Sequence, residues 1–155
     1  MCKTTGLILW VCGPAVNSWT SINTDRSLFG DLCEMDKGLT LVLGASPHAD
    51  RYSYLATVRL VSHGHAVVAV GNRDGIVAGV PIVRAIPEGA RVDTVTLYLN
   101  PVNQRQWQPR ILALRPRRII FNPGTEDDTF AAAAARAGIE VVEGCTLVML
   151  AAGTY

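Results

Sequence analysis

From Leu39 onward, short runs rich in Val, Ile and Leu alternate almost without a gap with stretches of helical character. This alternation constrains the fold more than any other feature of the chain. A β-α-β succession buries its strands on both faces when they form a parallel sheet covered by helices. The strand candidates are Leu39 to Leu43, Ala66 to Val70, Thr94 to Leu99, Arg118 to Phe121 and Glu140 to Val142. Right-handed crossovers between them give an α/β architecture: a doubly wound, mainly parallel five-stranded sheet with helices on both faces. Composition agrees, since 49% of residues are hydrophobic and only 17% charged.

Between the strands, Ser53 to His63 reads as a helix in which Tyr54, Val58 and Val61 recur at i, i+4 and i+7, with Gly64 as its stop. Val102 to Leu114 reads as a second, with Trp107, Ile111 and Leu114 on one face and Pro109 forcing a kink or a late start. Thr125 is the expected cap of a third, whose first turn holds Glu126, Asp127 and Asp128 and whose end is Gly138. The Gly- and Pro-rich segment 71–93 reads as a long irregular connection, with room for a small strand near Val80 to Val83.

Residues 1–34 mix Trp, Cys, Gly, Pro and Ser without periodicity, so they are expected to be an extension that is disordered or not native, with Met35 as the natural start of a domain over 35–155. The apolar run Gly6 to Val16 is too short to span a bilayer and lacks a signal-peptide cleavage site. A net charge of +1 gives no bulk electrostatic case for nucleic acid or an anionic membrane. Four cysteines without a C-x-x-C pair fit neither a disulfide framework nor a zinc site, which points to a reducing, cytoplasmic compartment.

In an open parallel sheet, ligands bind beyond the carboxyl ends of the strands, where helix N-termini present unpaired N–H groups. Polar, Gly and Pro residues collect at all five expected ends. The first is followed by Gly44, Ala45, Ser46, Arg51, Tyr52 and Ser53, the second by Gly71, Asn72 and Arg73, and the third by Asn100 and Pro101. Asn122, Gly124 and Thr125 follow the fourth. The first loop is the expected phosphate cradle: Gly44 permits close backbone approach, Ser46 offers a hydroxyl, and Arg51 adds charge beside a helix start. It carries neither the G-x-G-x-x-G fingerprint nor a Walker A motif. At the second strand end, an NAD-binding domain places an acidic residue against the ribose diol, whereas this chain has Asn72 and Arg73. A phosphorylated ribose fits better, a condition that NADP and coenzyme A both meet.

Five ordered blocks carry a resemblance: G-A-S-P-H-A-D-R-Y-S-Y (Gly44 to Tyr54), H-G-H (His63 to His65), T-V-T-L-Y-L-N-P (Thr94 to Pro101), R-I-I-F-N-P-G-T-E (Arg118 to Glu126) and E-G-C-T-L-V-M-L (Glu143 to Leu150). From about Leu39 to Leu150 the chain resembles the small CoA-binding domain family, whose fold is similar to the CoA-binding domain of the succinyl-CoA synthetase alpha subunit. The resemblance implies a Rossmann-like domain that holds CoA or an acyl-CoA across the strand ends, with no established reaction. It puts Gly44, Ser46, Arg51 and Tyr52 around the pyrophosphate and Asn72 with Arg73 near the adenosine. Asn100 and Pro101 would flank the ligand, while Asn122, Gly124 and Thr125 would line the pantetheine side. The phosphorylated histidine and the ATP-grasp partner of the synthetases have no counterpart, so ligation is not implied.

No nucleophile, base and orienter stand out together, so no catalytic residue is assigned and the expectation is a carrier, sensor or regulatory module, with a protein partner or homodimer open. An NADP-dependent oxidoreductase, or a subunit of one, is the alternative. His63 and His65 have no carboxylate or Cys close in sequence, and no metal is expected. Cys145 reads as a buried strand-end residue packed against Leu147 and Met149, with a mixed disulfide to the CoA thiol as the sharper option.

Overall fold

A computed structural model describes residues 38–155, and the extension expected over 1–34 and the start at Met35 lie outside the described residues. The chain runs β1 (Leu39–Leu43), α1 (Tyr52–Ser62), β2 (Val67–Val70), β3 (Ile76–Val77), β4 (Val80–Val83), β5 (Val92–Leu97), α2 (Pro101–Gln104), α3 (Gln108–Leu114), β6 (Arg118–Phe121), α4 (Asp128–Arg136), β7 (Glu140–Glu143) and α5 (Thr146–Ala152). The sheet order is β3-β4-β2-β1-β5-β6-β7, and only β3 runs antiparallel to its neighbour. The doubly wound α/β class is therefore as expected, with seven strands among the described residues rather than five. One of the two additional strands, β4, is the small strand for which Val80 to Val83 left room, and the other, β3, completes a hairpin with it. Its turn, Ala78-Gly79, holds both residues at positive φ, 50° and 82°. Pro81 is tolerated because it sits opposite Ile76 on a two-residue edge partner.

Strand alternation sorts the core into two layers. Leu41, Leu43, Val95, Leu97, Ile119 and Phe121 pack with Ile111, Phe130 and Ala134, so α3 and α4 cover that face. Val42, Ala69, Val77 and Ile82 pack with Leu60 and Leu150, so α1 and α5 cover the other. Helix α1 turns inward on Ser53, Ala56, Thr57 and Leu60, with Tyr54 and Val58 half-buried beside them. The larger residues of the expected stripe therefore flank the contact rather than centre it, because small side chains let the helix lie closer to the sheet.

Three local expectations are corrected. The second helix is two pieces, α2 and α3, with Pro109 in the first turn of α3, where its missing N–H costs nothing. Asp127, not Thr125, caps α4, its Oδ1 accepting from Phe130 N–H at 3.0 Å. Residues after Cys145 form helix α5, so Cys145 is a half-buried helix N-cap with a free thiol. Helix α1 ends as its sequence indicates, with Gly64 at φ 76° and His63 Nδ1 2.8 Å from Arg59 O. Among the described residues no helix is long and apolar enough to cross a membrane.

Candidate functional site

Because β1 lies between β2 and β5, the connections leaving β1 and β5 diverge to opposite faces and open a crevice at the carboxyl ends. A cavity of about 630 Å3 occupies that crevice, lined from the loops that follow β1, β2, β5 and β6. All the residues singled out at the strand ends line it except Pro101 and Asn122.

Two glycines shape the floor. Gly44 turns the chain out of β1 at φ 95°, and a Cβ there would come within 2.9 Å of the Tyr98 carbonyl carbon. At Gly71 a Cβ would collide with the Ala45 carbonyl oxygen, so the loops after β1 and β2 meet through bare backbone. Helix α1 begins at this floor. Its N-cap, Arg51, makes no side-chain cap bond, and no acidic residue occupies the first turn. The N–H groups of Tyr52 and Ser53 therefore face the cleft at the positive end of the helix dipole, the arrangement that receives phosphate oxygens. Ser46 both shapes the loop and lines the cavity, its Oγ accepting from His48 N–H at 3.3 Å.

Arg51, Arg73 and Arg84 line one side of the cavity. Arg73 Nη1 lies 3.1 Å from His48 Nε2, and since guanidinium only donates, the imidazole accepts there. Arg84 donates at 2.6 Å to the Asn72 carbonyl and grips Asp74 with two bonds of 3.0 and 2.9 Å. Those hydrogen bonds, with the adjacent charge, hold the Asp74 carboxyl below the usual carboxylate range. Asp74 itself does not line the cavity, and among the described residues no carboxylate does.

The opposite wall is fixed by hydrogen bonds within the protein. Asn100 caps α2, its Oδ1 accepting from Asn103 N–H at 2.9 Å. Pro101 is the first residue of that helix and stands outside the lining. Fully buried Gln104 donates to both Leu99 O and Thr125 O at 2.6 Å, which ties the β5 loop to the β6 loop. Gly124 N–H is taken by Glu126 Oε2 at 2.8 Å, and the Thr125 hydroxyl donates to Asn122 O at 2.7 Å. Asn122 is 3% exposed and wholly engaged: Nδ2 donates to Thr96 Oγ1 at 2.7 Å and Leu97 O at 3.0 Å, and Oδ1 accepts from Thr146 N–H at 2.8 Å. It joins β5 and β6 to α5.

Tyr98 also lines the cavity, with its hydroxyl buried and without a well-aligned partner, since the nearby Thr96 and Thr146 hydroxyls bond each other at 2.7 Å. Burial pushes this phenol up to about 12, against a smaller opposing pull from Thr146.

The profile of the family described as a CoA binding domain matches residues 39–151. The chain belongs to that family. A solved structure of a protein described only as uncharacterized is 51% identical, with a TM-score of 0.73 over 77% of this chain and 98% of its own. A Thermus thermophilus protein is 24% identical, with a TM-score of 0.68 over 84% of this chain and 98% of its own. A hypothetical protein from Pyrococcus horikoshii OT3 is 22% identical, with a TM-score of 0.65 over 81% of this chain and 88% of its own. These last two likenesses show the fold. No curated protein matches the chain.

The cleft fits the kind of ligand this family name describes. Free helix N–H groups, arginines and the absence of carboxylates from the lining among the described residues favour a polyanion, and the bare backbone at Gly44 and Gly71 leaves room for it. Sequence reasoning passed over Arg84, Asn103, Gln106 and Trp107 as lining residues. Arg84 lay in the stretch read as irregular. Trp107, on the helix face it shares with Ile111 and Leu114, packs on the core while also reaching the cleft.

Proposed function

We propose that the chain binds coenzyme A, or an acyl-CoA, across the carboxyl ends of β1, β2, β5 and β6, and that it acts as a carrier, sensor or regulatory module without a reaction of its own. The observation that carries this reading is the cleft's one-sided charge: Arg51 and Arg73 line it, Arg84 adds to that wall while paired to Asp74, the α1 N-terminus opens onto it, and no carboxylate lines it among the described residues. Coenzyme A supplies matching charge in a pyrophosphate and a ribose 3′-phosphate. In this reading the pyrophosphate rests on the N–H groups of Tyr52 and Ser53 beside Gly44, Ala45, Ser46 and Arg51. The ribose phosphate meets Asn72 and Arg73, and the pantetheine passes Asn100, Gly124 and Thr125. Asn122 supports that wall from behind. The non-catalytic part of the reading draws on the engagement of these wall groups in structural hydrogen bonds.

Calorimetric titration with CoA, dephospho-CoA, NADP and NAD tests it, on the native chain and on Arg73→Ala. The expected result is saturable CoA binding that weakens about 10-fold or more for dephospho-CoA, a difference that Arg73→Ala largely abolishes. Binding of NADP without CoA would replace the proposal with a redox reading.

A further inference from the structure

The opposite end of the sheet carries its own polar cavity. It measures about 200 Å3 and has Thr40, His65, Asp93, Arg117, Arg118 and Tyr155 in its wall, at the amino ends of the strands. One water occupies about 30 Å3 of liquid, so the space admits a phosphate or carboxylate group with some of its hydration.

Its two arginines differ in kind. Arg117 is exposed and already paired with carboxylates: it grips Asp93 with bonds of 3.1 and 3.2 Å and reaches Glu140 at 3.5 Å. Arg118 is 8% exposed and has no carboxylate partner among the described residues. Its Nε donates to Thr94 Oγ1 at 3.0 Å, and its guanidinium carbon lies 4.6 Å from the centre of the Tyr155 ring. That ring is held in turn by a 2.9 Å bond between its hydroxyl and Thr40 Oγ1. The Thr94 hydroxyl donates to Asp93 Oδ2 at 2.8 Å, so Asp93 is occupied from two directions. The terminal nitrogens of Arg118 make no hydrogen bond among the described residues, and they are not sealed in protein either, so they open on the cavity.

A guanidinium withdrawn from water is costly to keep when its hydrogen-bond partner is a hydroxyl, its face rests on a ring, and the nearby Asp93 charge, which it feels without a direct bond, is already gripped by Arg117 and Thr94. An incoming oxyanion would offset that cost, because the planar fork matches two oxygens of a carboxylate or phosphate and its orientation is already fixed by the ring and by Thr94. We propose that this cavity is a second ligand site, which binds a small oxyanion, a phosphate or a carboxylate group, on the free fork of Arg118. It is separate from the carboxyl-end cleft and does not depend on what that cleft binds.

The test is a titration of the isotopically labelled full chain with sodium phosphate and, separately, with sodium acetate at constant ionic strength, following backbone and arginine Nε resonances. Saturable shifts centred on Thr94, Arg118 and Tyr155 are expected. Response to phosphate alone, to acetate alone or to both identifies which source of the oxyanion the site takes. Arg118→Lys keeps the charge but loses the fork, and should weaken binding about 10-fold. Arg118→Met should abolish it. If Arg118→Met fails to fold, the map on the native chain and the Arg118→Lys comparison still decide. The proposal is overturned if neither anion gives saturable shifts at those residues up to about 50 mM, or if shifts appear only around Tyr52 and Ser53. Failure of CoA to bind would be read at the latter residues and would leave this result untouched.

Discussion

Replacing Asn122 with Ala removes three hydrogen bonds from the junction of β5, β6 and α5. Leu97 O and Thr146 N–H lose their side-chain partner in a buried setting, while the Thr96 hydroxyl keeps only its bond to Thr146 Oγ1. At about 1 kcal/mol for each lost bond, and a further 1 kcal/mol or so for each group stranded away from water, the loss comes to roughly 3–5 kcal/mol. That is a large share of the 5–15 kcal/mol typical of a domain. Urea unfolding reads it directly: with a slope of about 2 kcal/mol per molar, the midpoint should fall by roughly 2 M at constant slope. Asn122→Asp should recover little, since its second oxygen would face the Leu97 carbonyl and only the acceptor for Thr146 N–H is retained. A loss below about 1 kcal/mol, joined to a collapse of CoA binding, would refute the scaffold role and return Asn122 to the ligand surface.

Gly71→Ala drives a methyl group into the Ala45 carbonyl, so it should cost about 1–3 kcal/mol in a thermal melt and weaken ligand binding as the β1 loop is pushed into the cleft. The Tyr98 phenol, raised by burial from 10.0 to about 12, favours the folded state in its neutral form. That contribution is complete below pH 10 and is lost as pH rises through about 12, so Tyr98→Phe should flatten part of the alkaline fall in urea midpoint. Tyr155, also raised chiefly by burial, accounts for a further part that Tyr155→Phe should remove. At neutral pH, Tyr98→Phe should change stability by less than about 1 kcal/mol, because the lost hydroxyl has no well-aligned partner. Phe130→Ala, which empties a fully buried position edge-on to Phe121, should cost about 3–5 kcal/mol by the same unfolding assay.

Strands β1, β2, β5 and β6 were legible because each is a run rich in branched residues that is largely buried, β7 by its Val pair after Gly138, and α1 and α4 because glycines mark their ends. Strand β4 was legible only as a small strand within a connection, and β3 escaped because it is two residues long and the neighbouring Gly79 and Pro81 read as loop chemistry, which in part they are. Helix α5 escaped because T-L-V-M-L is too short an apolar run for periodicity to separate helix from strand. That miss carried into the site. With α5 unseen, Asn122 stood at a strand end with no visible employment and looked like a ligand contact, whereas the Thr146 N–H of α5 donates to its side-chain Oδ1. Thr125 and Asp127 are both good capping types two positions apart, and only the backbone of α4 selects Asp127. The cleft itself was legible through its loops, since polar and glycine residues at successive strand ends already defined its rim. The second cavity was not, because it depends on Tyr155 stacking on Arg118 from across the fold.

The most direct test of the central claim is a crystal structure of the full chain grown with CoA. The account predicts density across the carboxyl ends of β1, β2, β5 and β6, with the pyrophosphate on the N–H groups of Tyr52 and Ser53 and the ribose phosphate against Arg73. CoA seated anywhere else, or a cleft that stays empty while calorimetry shows saturation, would contradict it.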